Sequence, residues 1–152
     1  MILTTILDFV AKTVRLPASR DQAFQAWTTE DELRAWWRPG GFRVERLQVD
    51  LRIGGAYEIL MVDAHGARQR LSGTYVAIEA SKRLVMTWRL EGSPDDDGYE
   101  ALLTLEFEDD PPGTLLRLRH ERLRPEALDM FAAGWEALLP LLGLYLQAQR
   151  LP

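Results

Sequence analysis

Cysteine is absent from this chain of 152 residues, which excludes disulfides, thiolate metal sites and a cysteine nucleophile. Histidine is nearly absent, at two residues, so zinc and other metals are not expected. Basic residues are the minority, 18 Lys and Arg against 23 Asp and Glu, for a net charge of −5. Nucleic-acid binding is driven by Lys and Arg neutralising phosphate, so this balance argues against such a partner. No stretch reaches the roughly 18 uncharged apolar residues of a spanning helix. The nearest, 137–149, is short and carries Pro140. The opening Met1-Ile2-Leu3-Thr4-Thr5-Ile6-Leu7-Asp8 lacks a basic start and meets an acid too early for a secretory signal. By elimination the sequence predicts a cytoplasmic protein without membrane insertion. Neither a Gly-x-Ser-x-Gly elbow nor a Ser/His/Asp order stands out, so nucleophilic catalysis has no support.

What is present is the material for a core. Hydrophobic residues make up 47% and charged residues 27%, and a chain this long buries about two thirds of its unfolded surface. A single domain over 1–152 follows.

The segment 9–16 alternates as a first strand, closed by Pro17. Ser19 followed by Gln22 is a capping-box spacing and predicts a short helix over 20–28, with Ala23, Phe24 and Trp27 inward. Thr29 and Glu32 repeat that spacing and predict a second helix over 30–37, ended by Pro39-Gly40-Gly41. Strands are expected over 42–50, 56–62, 69–78, 83–90, 99–108 and 114–121. The breaks between them carry turn residues: Asp63-Ala64-His65-Gly66, Ser93-Pro94-Asp95-Asp96-Asp97-Gly98 and Asp109-Asp110-Pro111-Pro112-Gly113. Short breaks imply antiparallel neighbours.

Period two places Tyr57, Ile59 and Met61 on one face, and likewise Leu84, Met86 and Trp88, then Ala101, Leu103, Leu105 and Phe107, then Leu116, Leu118 and His120. Their alternates are mostly polar, so the sheet should be wet on one side and covered on the other. The cover is the segment 125–149, where Leu128, Phe131, Trp135, Leu138, Leu142 and Tyr145 recur at helical spacing. Pro140 should kink that helix, because proline has no N–H to donate and leaves the carbonyl of Glu136 without its helical partner. Leu139, Leu141, Leu144 and Leu146 add a second apolar face. Either the N-terminal Ile2-Leu3-Ile6-Leu7 segment and the short helices cover it, or a second copy does in a homodimer.

Three stretches together carry a resemblance. They are Ala26-Trp27-Thr28-Thr29 running through Leu33 into Trp36-Trp37-Arg38-Pro39, then Asp50-Leu51-Arg52-Ile53-Gly54-Gly55, then Gly134-Trp135 with Leu138 and Leu142. In this order of elements they resemble the AHSA1-like family, named for the activator of the Hsp90 ATPase, within the START/Bet v 1-like superfamily. The resemblance implies an α+β helix-grip fold, with a seven-stranded antiparallel sheet gripping a long C-terminal helix and two short helices between strands 1 and 2. It also implies an apolar cavity between sheet and helix. Where many relatives carry a histidine three residues before the Gly-Trp pair, this chain has Phe131.

The function expected on this basis is binding of a small apolar or aromatic molecule or a lipid, without a cofactor. The residues expected to line the site are Trp36, Tyr57, Ile59, Tyr75, Met86 and Trp88. Leu103, Leu118, His120, Phe131 and Trp135 complete the set. An enzyme of cyclase or hydrolase type would use the same cavity, with His120 and a tyrosine as its acid–base pair. A module of the Hsp90-cofactor kind would use an outer surface instead. His120 has an alternative as a core residue bonded to a backbone carbonyl, and Tyr57, Tyr75 and Trp88 have one as core filling. Of the adjacent Trp36 and Trp37, the first is expected inward and the second at the rim, since neighbours on a helix point about 100° apart. Asp50, Arg52, Gly54 and Gly55 read as a turn in which Asp50 either pairs with Arg52 or caps local N–H groups, and Asp95-Asp96-Asp97 as a solvated turn.

Overall fold

The computed structural model describes residues 8–93 and 100–149. Ile2, Leu3, Ile6, Leu7, Asp95, Asp96, Asp97 and Tyr99 therefore lie outside the described residues. Strand β1 (Asp8–Leu16) is followed by helices α1 (Arg20–Thr28) and α2 (Glu30–Trp36) and a 3₁₀ turn at Pro39–Gly41. Six strands come next: β2 (Arg43–Val49), β3 (Ala56–Val62), β4 (Arg68–Glu79), β5 (Arg83–Glu91), β6 (Ala101–Asp110) and β7 (Gly113–Leu123). A 3₁₀ turn at Pro125–Ala127 leads into α3 (Leu128–Gln149). Pro140 lies inside α3 and does not end it.

The seven strands form one sheet in the order β1-β7-β6-β5-β4-β3-β2, antiparallel throughout. This is the helix-grip arrangement, α+β, with both short helices between β1 and β2. Every residue placed by alternation on the covered face of β3, β5, β6 and β7 is buried there. The opposite face is a chain of ion pairs. Glu58 accepts from Arg46 at 2.7 Å and from Arg70 at 2.8 Å, and Glu91 accepts from Arg70 at 3.2 Å and from Arg89 at 3.4 Å.

The Ser19 box forms as read. The Gln22 amide N–H donates to Ser19 Oγ at 3.2 Å, and the Ser19 amide N–H donates to Gln22 Oε1 at 3.1 Å. The matching box at Thr29 does not form, since Thr29 makes no side-chain cap. Glu32 is drawn instead to α3, where the Tyr145 hydroxyl donates to its Oε1 at 3.0 Å. Glu30 is drawn to β2, accepting from the Val49 amide at 2.8 Å. Both acids thus bind α2 to its neighbours rather than to its own first turn.

Leu142 and Leu146 of α3 are buried with Trp135, Leu138 and Leu139, while Leu128, Phe131 and Tyr145 of the expected seam pack at its margin. Lys12 of β1 anchors the helix by an ion pair of 2.7 Å to Glu136. By length and composition 125–149 could cross a membrane; here those five side chains are buried within the fold. Leu139 and Leu146, on the second apolar face, are thus covered within the chain, and Leu144 is exposed. The turn before β3 pairs Arg52 with Asp50 at 2.8 Å. Gly55 is required there, because a Cβ would stand 2.1 Å from the Asp50 carbonyl oxygen.

Candidate functional site

All five tryptophans of the chain meet on the covered face of the sheet. Trp27 comes from the last turn of α1, Trp36 and Trp37 from the end of α2, Trp88 from β5 and Trp135 from α3. Trp27 packs edge-on against Trp36 with ring centres 4.8 Å apart, and Trp37 lies 6.1 Å from both Trp88 and Trp135. His120 of β7 and Phe131 of α3 complete the group. The His120 ring centre is 4.7 Å from that of Trp88 and 4.6 Å from that of Phe131.

Three of the five indole N–H groups are satisfied. Trp36 donates to the Ala26 carbonyl at 2.8 Å, Trp37 to Met61 Sδ at 3.3 Å and Trp135 to His120 Nδ1 at 3.1 Å. The placement of Trp37 corrects the expectation of a rim position, since it is as buried as Trp36. Helix α2 ends at Trp36, and Trp37 has φ −78° and ψ 92°. The 100° rule for adjacent helical residues does not apply across that junction.

His120 also differs from expectation. Its partner is the Trp135 indole rather than a backbone carbonyl, and its pKa does not lie near neutrality. Complete burial pushes it down from 6.5 to about 3, because a charged imidazolium would lose its water. With Nδ1 accepting, the hydrogen-bond pattern assigns the proton to Nε2. The ring is therefore a neutral donor.

Tyr57 and Tyr75 pack with their rings tilted and their centres 5.6 Å apart, and burial raises the pKa of both. The Tyr57 hydroxyl donates to the Thr87 carbonyl, so it braces β3 against β5. Nε1 of Trp27, Nε1 of Trp88 and Nε2 of His120 are buried without partners. A buried donor left unpaired typically costs about 1–3 kcal/mol.

A cleft of about 270 Å³ opens beside this group. Its wall is Trp37, Met61, Leu71, Trp88, Leu90, Phe131, Trp135 and Leu138, and Pro39, Gly40, Phe42, Gln69, Met130 and Gly134 complete its lining. No lining side chain is ionisable, and Gln69 supplies the only amide. Gly134 leaves an opening, as a Cβ built there meets nothing within 4 Å.

Of the residues expected to line a site, Trp88, Phe131 and Trp135 reach this cleft. Tyr57, Ile59, Tyr75, Met86 and Leu103 surround a separate void of about 20 Å³, together with Trp27, Leu33, Trp37, Leu71 and Trp88. That is space for about one water. Trp36, Leu118 and His120 are buried and line neither space.

Sequence reasoning missed Leu71, Leu90, Met130 and Gly134. A signal existed for each. Leu71 pairs with Ile59 and Leu90 in the sheet register, while Met130, Gly134 and Leu138 form an i, i+4, i+8 row beside the seam. Among the described residues, no group of three or more His, Asp or Glu could hold a metal.

Comparison with known proteins bears on the family. The family model described as "Activator of Hsp90 ATPase homolog 1-like protein" matches residues 17–147. The fold is similar to that of the AHSA1 protein from Silicibacter pomeroyi, with a TM-score of 0.82 at 23% identity, covering 94% of this chain and 100% of that one. A protein from Rhodobacter sphaeroides superposes with a TM-score of 0.80 at 24% identity, covering 92% of each chain. CalU16 from Micromonospora echinospora does so with a TM-score of 0.70 at 25% identity, covering 94% of this chain and 81% of that one. A comparison with curated proteins gives no match. The match over 17–147 places the chain in the AHSA1-like family of the START/Bet v 1-like superfamily.

Proposed function

We propose that this AHSA1-like protein binds a small, uncharged apolar or aromatic molecule in the cleft beneath α3. The fold is consistent with a ligand-binding module or an Hsp90 co-chaperone-like module, and the cleft favours the first. The observation that carries the reading is the wall itself. About 270 Å³ lies between aromatic and aliphatic side chains without one ionisable group. Apolar walls with few polar groups are the common make-up of small-molecule sites.

Binding rather than catalysis is supported by the state of His120. Burial holds it neutral, Trp135 occupies its Nδ1 lone pair, Trp88 and Phe131 pack against its ring, and it does not line the cleft. Acid–base chemistry requires two titratable groups convergent on a substrate. Tyr57 and Tyr75 are not placed to supply the second, because Tyr57 is bonded to a backbone carbonyl and Tyr75 borders only the small void.

Native mass spectrometry of freshly purified protein should reveal a bound neutral molecule. An apolar fluorescent probe should bind one per chain and be excluded by Gly134→Leu, whose side chain would enter the open space at that position. Gly134 is a helix-interior glycine, so the fold should tolerate the change. Probe binding that survives Gly134→Leu in a folded variant would place the probe elsewhere and remove the cleft from consideration.

A further inference from the structure

One side chain interrupts the apolar face of the sheet where the cleft opens. Strand alternation puts Gln69, Leu71, Gly73 and Tyr75 of β4 on the covered face, and Gln69 lines the cleft. Its neighbour on β3 is Met61, whose sulfur already accepts from the Trp37 indole at 3.3 Å. On its other side lies Gly92, just past β5, where a Cβ would stand 3.4 Å from Gln69 Cα. Neither neighbour has a side chain free to bond the Gln69 amide. Among the described residues nothing else bonds it.

The other polar groups of the wall are out of play. Trp37 and Trp135 spend their indole N–H groups inside the protein, and Trp88 Nε1 is sealed in the core. Gln69 is only half-buried, so its amide stays within reach of an occupant. A molecule seated in the cleft strips water from that amide, and one that cannot replace the lost hydrogen bonds is penalised. Oε1 accepts and Nε2–H donates along one edge of the amide. The matching partner carries a donor beside an acceptor on one edge of its own. Charge is disfavoured there, because no ionisable side chain lines the cleft to offset a buried ion.

We propose that Gln69 is the specificity-determining residue of the cleft, and that the occupant is a compact, neutral aromatic molecule with a lactam or carboxamide edge. Its ring lies among Trp37, Trp88, Phe131 and Trp135, and its N–H and C=O pair with the Gln69 amide. The volume of about 270 Å³ lies just under the roughly 300–1,000 Å³ of common ligand sites, which suits a bicyclic molecule better than a long acyl chain. This inference rests on the cleft being the binding site and adds the chemistry of its occupant.

Three bicyclic probes separate the contributions: naphthalene, with no polar group; 1-methyl-2-quinolinone, with the acceptor alone; and 2-quinolinone, with donor and acceptor side by side. Each is titrated by calorimetry into the wild-type chain and into Gln69→Met, which keeps the length of the side chain and removes the amide. One hydrogen bond carries roughly a three- to tenfold change in affinity. Gln69→Met should therefore weaken 2-quinolinone about tenfold or more and 1-methyl-2-quinolinone about threefold, leaving naphthalene unchanged. The wild-type protein gives a second readout that needs no variant to fold. In a ¹⁵N spectrum the Gln69 side-chain amide protons should move downfield with 2-quinolinone relative to naphthalene.

Equal loss for 2-quinolinone and its N-methyl form, or no loss for either, would overturn the role of Gln69 while leaving an apolar binding site standing. So would a Gln69 amide signal that responds alike to 2-quinolinone and naphthalene. Failure of all three probes to bind the wild-type chain would overturn the inference together with the cleft as a binding site.

Discussion

Acid should destabilise this protein well before its carboxylates are protonated, and His120 is the reason. Its native pKa is about 3 against an ordinary 6.5, and burial is the cause. Between these values the unfolded chain binds a proton at this position and the native chain does not. Stability rises with pH wherever the unfolded state holds more protons. The contribution is fully present above about pH 6.5 and is lost progressively as pH falls toward 3.

Each unit is worth 1.36 kcal/mol, so the step from pH 6.5 to 5.0 should remove about 2 kcal/mol. That is a large share of the 5–15 kcal/mol of an ordinary domain. Glu45, held below the usual carboxylate value of 4.5 by Arg68, and Glu58, held below it by Arg46 and Arg70, lose their contribution only at lower pH. The window from 6.5 to 5.0 therefore isolates the histidine.

Urea unfolding at half-unit intervals across that window should show the midpoint falling by about 1 M in total. His120→Gln retains a carbonyl to accept from the Trp135 indole but cannot charge, so its midpoint should be flat there. A flat wild-type profile, or an equal slope in His120→Gln, would show that His120 is not held neutral in the core.

Trp135→Ala should cost about 3–5 kcal/mol, because it removes a buried ring of the tryptophan group and the partner of His120; a melting temperature within a degree or two of wild type would refute the clamping of α3 on the sheet. Ser19→Ala should cost about 1 kcal/mol through loss of its cap, whereas Thr29→Ala, with no side-chain cap to lose, should cost well under half of that by chemical denaturation. Gly55→Ala should destabilise by more than 1 kcal/mol, since its Cβ would stand 2.1 Å from a backbone oxygen; a variant as stable as the parent would show that the turn before β3 relaxes freely.

The elements and their faces were legible because their signals are local. Period two in 101–107 and 116–120, the turn residues at Asp63 to Gly66, and the Ser19 and Gln22 box each act within a few residues, and each element formed close to its expected bounds. The family resemblance, carried by short stretches of sequence, was legible for the same reason. What only the tertiary structure decided were relations between distant elements. Glu32 had a local partner available at Thr29 and was taken by Tyr145, 113 positions away. Trp37 turned inward because α2 ends one residue before it. The pairing of Trp135 with His120 depends on the height at which α3 crosses β7, which no spacing within either element encodes. The site itself was least legible. A cleft is the small remainder left after large side chains fill the space between layers. Period two could assign Tyr57, Ile59, Tyr75 and Met86 to the right face, but only the packed structure left them about 20 Å³ and opened about 270 Å³ beside Trp88, Phe131 and Trp135.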